Sequence, residues 1–147
     1  MLLLPILAIC IGASIGALAR WGLALWLGMG GLMPWGTLAA NLIGGYLIGV
    51  AVATFQLLPD LDPVWRLALI TGFLGGLTTF SSFSVEVTTM LLEGRLGVAM
   101  VTASAHLGGS LFFTGSASAP CGSSRLERAK SALCLAVIDR ASQRVDR

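Results

Sequence analysis

The chain has 147 residues, 56% of them hydrophobic and only 11% charged, with a mean hydropathy of +0.88. Soluble domains average about 25% charged residues, so the composition predicts an integral membrane protein with no room for a second globular domain. The net charge of +2 is too weak and too diffuse to argue for nucleic acid.

Residues 1–115 hold three basic and four acidic residues, a net of −1, while residues 116–147 hold six basic and three acidic, a net of +3. Cys10, Cys121 and Cys134 share no metal-ligand spacing, and an odd, scattered count gives no disulfide framework. Cys10 reads as a small apolar residue facing lipid or a neighbouring helix. The N-terminus lacks the basic region of a signal peptide, and its apolar pattern runs past Arg20 to Leu27. The first segment is therefore expected to span the bilayer.

Crossing a bilayer takes about 20 mostly apolar residues, and four stretches qualify. The first covers residues 4–27 and carries Gly12-Ala13-Ser14-Ile15-Gly16, a spacing that lets helix backbones approach closely. The second covers 36–57 and repeats that spacing in Gly45-Tyr46-Leu47-Ile48-Gly49. Pro59-Asp60-Leu61-Asp62-Pro63 ends it. The third covers 64–93, long enough to hold an interruption at Gly75 to Thr78. The fourth covers 96–115, with Ala105-His106-Leu107-Gly108-Gly109 expected at a helix interface. Four spans put both ends of the bundle on one side. Arg66 and Arg95 flank opposite ends of the third span, so loop charge hardly orients the bundle, and such a chain can insert both ways. From residue 116 onward the sequence is polar and basic with no membrane-length apolar run, which predicts disorder.

Polar groups at membrane depth need a partner or a pathway. Asn41 has two readings, an interhelical hydrogen bond or a donor to an anion. Phe80 and Phe83 are three apart on one helical face. They read as core packing or as ring edges, which are electropositive, lining an anion path. Ser110 and Thr114, four apart, either donate to an anion or bond back to the carbonyl one turn earlier. An interruption at Gly75 to Thr78 frees carbonyls with partial negative charge, suited to a hard cation such as sodium, or else leaves a kink satisfied by threonine hydroxyls. Arg20 snorkels to the interface or draws anions into a vestibule. Glu86 is expected near a pore mouth. His106 reads as a hydrogen-bonded helix residue, because no second His or Cys lies at ligand spacing. No nucleophile–base pair or metal constellation is legible, so an enzyme is not expected.

Three segments together resemble the Fluc/CrcB family of fluoride ion channels. They are Gly16-Ala17-Leu18-Ala19-Arg20, Gly36-Thr37-Leu38-Ala39-Ala40-Asn41-Leu42-Ile43-Gly44, and the long run Thr71-Gly72-Phe73-Leu74-Gly75-Gly76-Leu77-Thr78-Thr79-Phe80-Ser81-Ser82-Phe83-Ser84-Val85-Glu86. The resemblance covers residues 4–115. It implies an all-α four-helix membrane bundle with a broken third helix, assembled in the inner membrane as an antiparallel, dual-topology homodimer. It further implies that Asn41, Phe80, Phe83, Ser110 and Thr114 line a fluoride path. The backbone carbonyls of Gly75 and Thr78 would hold a structural sodium ion, with Arg20 and Glu86 at a vestibule or pore mouth.

Two departures stand out. The family's fourth helix carries a Tyr beside the pore, and Thr102 is the position expected to replace it. Family members finish soon after the fourth helix, so the sequence from Gly115 onward reads as the product of a frameshift, a reading that resequencing the locus tests. Two other classes compete with a passive channel. A proton-coupled exporter wants an acid deep in the first helix, which offers only Arg20. A non-transporting structural protein explains the close-packing glycines but not the Thr78 to Ser84 cluster.

Overall fold

A computed structural model of the chain describes residues 2–28 and 31–118. The expectations for the segment beyond residue 118 lie outside the described residues. The elements in order are α1 (Leu3–Leu27), α2 (Trp35–Leu57), α3 (Pro63–Arg66), a π-helical segment π1 (Leu67–Leu74), α4 (Gly75–Leu77), α5 (Phe80–Leu92) and α6 (Leu96–Ser118). Four stretches are long and apolar enough to cross a membrane: Leu3–Leu27, Trp35–Leu57, Pro63–Leu92 and Leu96–Ser118. They match the four expected spans to within a few residues. The last helix runs three residues past Gly115, so Ser116 to Ser118 belong to the bundle and not to a separate tail.

Local chemistry sets the ends. Asp62 accepts a hydrogen bond from the Val64 amide at 2.9 Å, with Pro63 beginning α3. That is a helix start in which a side-chain oxygen satisfies an orphan N–H and proline sits where no N–H is needed. Between α5 and α6, Arg95 pairs with Glu93 at 3.1 Å and donates to the Leu32 carbonyl at 3.0 Å. The turn after α5 is thereby tied to the α1–α2 loop.

The bundle is assembled from close backbone contacts more than from large side chains. Helix α1 packs along π1 and α4, and α2 packs along α6. At the first seam, a Cβ on Gly16 would sit 2.0 Å from the Phe73 carbonyl oxygen. At the second, a Cβ on Gly49 would sit 2.5 Å from the Thr114 carbonyl oxygen. Only glycine fits either place. Both close-packing motifs of the first two spans thus meet a helix; in the fourth span Gly108 faces open space, but Gly109 packs on Leu42 of α2 and His106 is buried, so that segment lies at a helix interface as expected. Ala40, Ala51, Leu74 and Leu77 form the buried centre.

The outer surface is covered with exposed leucine, isoleucine, phenylalanine and tryptophan. Such a surface suits lipid, where helices satisfy their own backbone. Trp26 and Trp35 stand exposed beside the α1–α2 loop and Trp65 beside the α2–α3 loop. Tryptophan favours the membrane–water boundary, so these residues mark the two rims of the bundle.

Candidate functional site

The third span is not one regular helix. After α4, Thr78 (φ −82°, ψ 153°) and Thr79 (φ −148°, ψ 122°) are extended, and α5 begins at Phe80. The Thr79 hydroxyl caps α5 by accepting from the Ser82 amide at 3.2 Å. In an uninterrupted helix the Thr79 N–H would donate to the Gly75 carbonyl. Instead it donates to Asn41 Oδ1 at 2.8 Å, and Asn41 Nδ2 donates back to the Thr79 carbonyl at 3.0 Å. The Gly76 carbonyl accepts from Arg20 Nε at 3.1 Å. Side chains from α2 and α1 therefore stand in for the helical ladder, which is what an apolar environment demands of irregular backbone. Arg20 does not snorkel; it turns inward onto this link.

Two cavities flank the link, and Thr79 lines both. The first, of about 490 Å³, gathers Asn41, Phe80, Phe83, Ser110 and Thr114, together with Gly75 and Thr78. All seven residues singled out from the sequence for an anion path or a cation site thus border one space. Phe83 is buried and Phe80 is 71% exposed on the surface of the protomer. Their ring centroids lie 5.4 Å apart, as expected for neighbours on one helical face.

The hydroxyls do not bond back to the carbonyl one turn earlier. Thr114 Oγ1 donates to the Gly45 carbonyl at 2.8 Å, and Ser110 Oγ lies 3.5 Å from the Asn41 carbonyl. These bonds cross from α6 to α2 and help fasten the seam at which Gly45 and Gly49 pack. Asn41 is likewise engaged as an interhelical clasp.

His106 is the residue whose place at this site the sequence reading missed. It is buried, lines the first cavity, stacks against Phe83 with centroids 4.7 Å apart, and places Nδ1 3.0 Å from Asn41 Nδ2. The signal was available. His106, Ser110 and Thr114 follow one another at four-residue spacing and so share a helical face. Thr102, one turn earlier, is fully buried and donates to Met90 Sδ at 3.6 Å. The side chain beside Phe83 is thus His106.

The second cavity, of about 460 Å³, is lined by Arg20, Thr37, Ser82 and Glu86 among others. Thr37 Oγ1 donates to Glu86 Oε1, while Glu86 Oε2 is buried with no hydrogen-bond partner. One cationic and one anionic side chain therefore share this cavity without forming an ion pair. No group of three or more His, Cys, Asp or Glu side chains converges among the described residues.

A bundle of four apolar spans, with an irregular polar link at mid-span and a cavity on either side of it, has the architecture of a membrane transport protein. Residues 7–117 match the family described as CrcB-like protein, Camphor Resistance (CrcB), and the chain belongs to that family. It is 82% identical over 113 residues to a protein of Variovorax paradoxus named fluoride-specific ion channel FluC, covering 77% of this chain and 90% of that protein. A protein of the same name from Albidiferax ferrireducens is 69% identical over 113 residues, covering 77% of this chain and 87% of the relative. Another from Paracidovorax citrulli is 65% identical over the same length, covering 77% and 90%. The chain is accordingly a multi-pass protein of the cell membrane, from a family of ion channels and not of enzymes.

Proposed function

We propose that this chain is a fluoride-selective channel through which cytoplasmic fluoride leaves by passive diffusion, working as an antiparallel, dual-topology homodimer. The observation that carries this reading is the single cavity bordered by Asn41, Phe80, Phe83, Ser110 and Thr114, beside the Thr78–Thr79 link. It occurs in a chain 82% identical to a protein named for fluoride conduction.

The physical task is dehydration. Fluoride is small and strongly hydrated, and stripping its water is costly unless other donors replace it. Hydroxyls on one wall and ring edges on the other offer that replacement without a fixed positive charge that would trap the ion. The hydroxyls of Ser110 and Thr114 now hold carbonyls of α2, and each can rotate toward a passing anion because a hydroxyl hydrogen is free to turn. A narrow path lined this way penalises chloride by size. Arg20 and Glu86 border the second cavity, which serves as the vestibule; the positive side chain raises the local anion concentration.

A second copy is supported by the surface. Phe80 stands exposed beside the first cavity and Gly75 is exposed next to it, so one protomer leaves that path incompletely walled. The near-silent loop charges allow insertion in both orientations. The carbonyls of Gly75 and Thr78 fit a sodium ion on that shared face. Thr79 gives its N–H to Asn41, which deprives the Gly75 carbonyl of its usual helical donor, and carbonyl oxygens are the hard ligands sodium prefers. When bound, sodium supplies positive charge that counters carbonyls clustered between two copies.

A proton-coupled exporter finds less support, since the only charged group of α1, Arg20, is committed to the Gly76 carbonyl. Ion efflux from liposomes holding the purified protein separates the readings. Fluoride efflux without chloride efflux is expected. A folded dimer that moves no fluoride would remove the channel reading.

A further inference from the structure

A third and larger cavity, of about 930 Å³, opens between α1, α2 and the α3–π1 stretch, at the rim marked by Trp65. It shares no residue with either cavity beside the Thr78–Thr79 link. Ile48 of α2 and Leu74 of π1 line the first cavity, whereas Leu47, Ala51 and Phe73 of the same two helices line this groove. It therefore lies on another face of the bundle from the one a second copy is proposed to wall.

The walls of the groove offer almost nothing polar. The Thr54 hydroxyl is spent on the Val50 carbonyl at 2.9 Å. Apart from the Trp65 indole, the remaining polar side chain is that of Asp62, exposed at the rim. On α1 the wall runs from Leu4 to Ile15, a rise of about 16 Å at about 1.5 Å per residue. Half of a hydrocarbon core about 30 Å thick is about 15 Å, so the groove is one leaflet deep. A second apolar depression, lined by Leu3, Pro5 and Leu7, adjoins it, and Leu4 and Val64 line both. Two apolar channels thus meet beneath one acidic side chain.

The charges at that rim are unspent. Asp62 Oδ1 accepts from the Val64 amide, but among the described residues no basic side chain pairs with Asp60 or Asp62, and no acidic one with Arg66; the ion pair there is Arg95 with Glu93. Asp62 and Arg66 are four residues apart at the two ends of α3, a spacing that brings side chains to one face. We propose that the groove holds a two-chain phospholipid with a primary ammonium headgroup, of the phosphatidylethanolamine class. Its ammonium meets Asp62, its phosphate meets Arg66, and its two tails lie on either side of Leu4 and Val64. Hydrogen bonds between ionised partners are the strong ones, and a quaternary ammonium has no N–H to donate. A headgroup of net negative charge meets Asp60 and Asp62 instead. This surface goes beyond conduction, since the groove shares no residue with the proposed fluoride path.

Native mass spectrometry of the full chain tests this, with phosphatidylethanolamine, phosphatidylcholine and phosphatidylglycerol of identical tails offered in turn. The unmodified protein is expected to retain phosphatidylethanolamine best. Asp62→Asn keeps a side-chain oxygen to cap α3 and removes the charge. Its retention of phosphatidylethanolamine is expected to fall about threefold, the weight of an ion pair at an exposed rim, to the level of phosphatidylcholine. Ala8→Phe narrows the groove and is expected to lower retention of all three lipids while the protein keeps its oligomeric state. Equal retention of the three by the unmodified protein, or a preference for phosphatidylglycerol, overturns the proposal. So does a preference that survives Asp62→Asn. Loss of the oligomer in Ala8→Phe assigns the groove to a second copy and overturns it as well; should that variant fail to fold, Asp62→Asn alone decides. Fluoride efflux is read separately, so failure of the channel reading and failure of this inference are distinguishable.

Discussion

Replacing Asn41 by leucine tests whether the link in the third span is held by one side chain. The change preserves bulk and removes three hydrogen bonds, at 2.8 Å to the Thr79 amide, 3.0 Å to the Thr79 carbonyl and 3.0 Å to His106. Side-chain hydrogen bonds between membrane helices average about 0.6 kcal/mol, so three amount to about 2 kcal/mol. Leaving the Thr79 amide and carbonyl both dry raises the loss toward about 4 kcal/mol. Thr79 lines both cavities, so water can reach the orphaned groups, and the lower figure is expected. The assay is hydrogen exchange at the Thr79 amide in detergent or bilayers, where about 2 kcal/mol speeds exchange roughly 30-fold. Thermal unfolding measured alongside should fall in temperature. Asn41→Asp keeps an oxygen for the Thr79 amide and should retain more of the protection than Asn41→Leu. If the leucine variant exchanges Thr79 at the original rate, the clasp is not what holds the link.

Other outcomes follow from the same contacts. Gly16→Ala puts a Cβ 2.0 Å from the Phe73 carbonyl oxygen, which forces α1 off the third span and costs about 1–3 kcal/mol or more. Gly22→Ala, which meets nothing within 4 Å, should leave the unfolding temperature unchanged. Phe83→Ile should slow fluoride efflux while the protein still dimerises, and unchanged flux would exclude the ring edge from the path. Thr114→Val removes the 2.8 Å bond to Gly45, a loss of about 0.6 kcal/mol at the α2–α6 seam. Efflux should slow with it, and a variant with undiminished flux would remove the Thr114 hydroxyl from the conduction path.

The sequence by itself determined the four spans, because a run of about 20 apolar residues has few places to go except a bilayer. It also determined which helices can approach closely, since the spacing of Gly12 and Gly16 and of Gly45 and Gly49 removes side chains from one face of each helix. Asn41, Phe80, Phe83, Ser110 and Thr114 were visible as candidates because polar and aromatic groups at membrane depth are few. Partners were not visible. Asn41 lies 38 residues from Thr79 and 65 from His106, and no local pattern links them. Arg20 looked like a residue for the membrane rim, yet it bonds a carbonyl 56 residues away. His106 looked unremarkable because its partner Asn41 lies on another helix, and the orientation of the Asn41 amide decides which atom faces the ring. That orientation is in turn set by the Thr79 amide, whose N–H can only donate. Spans and faces follow from short-range periodicity; the direction of each hydrogen bond is decided only when distant segments meet.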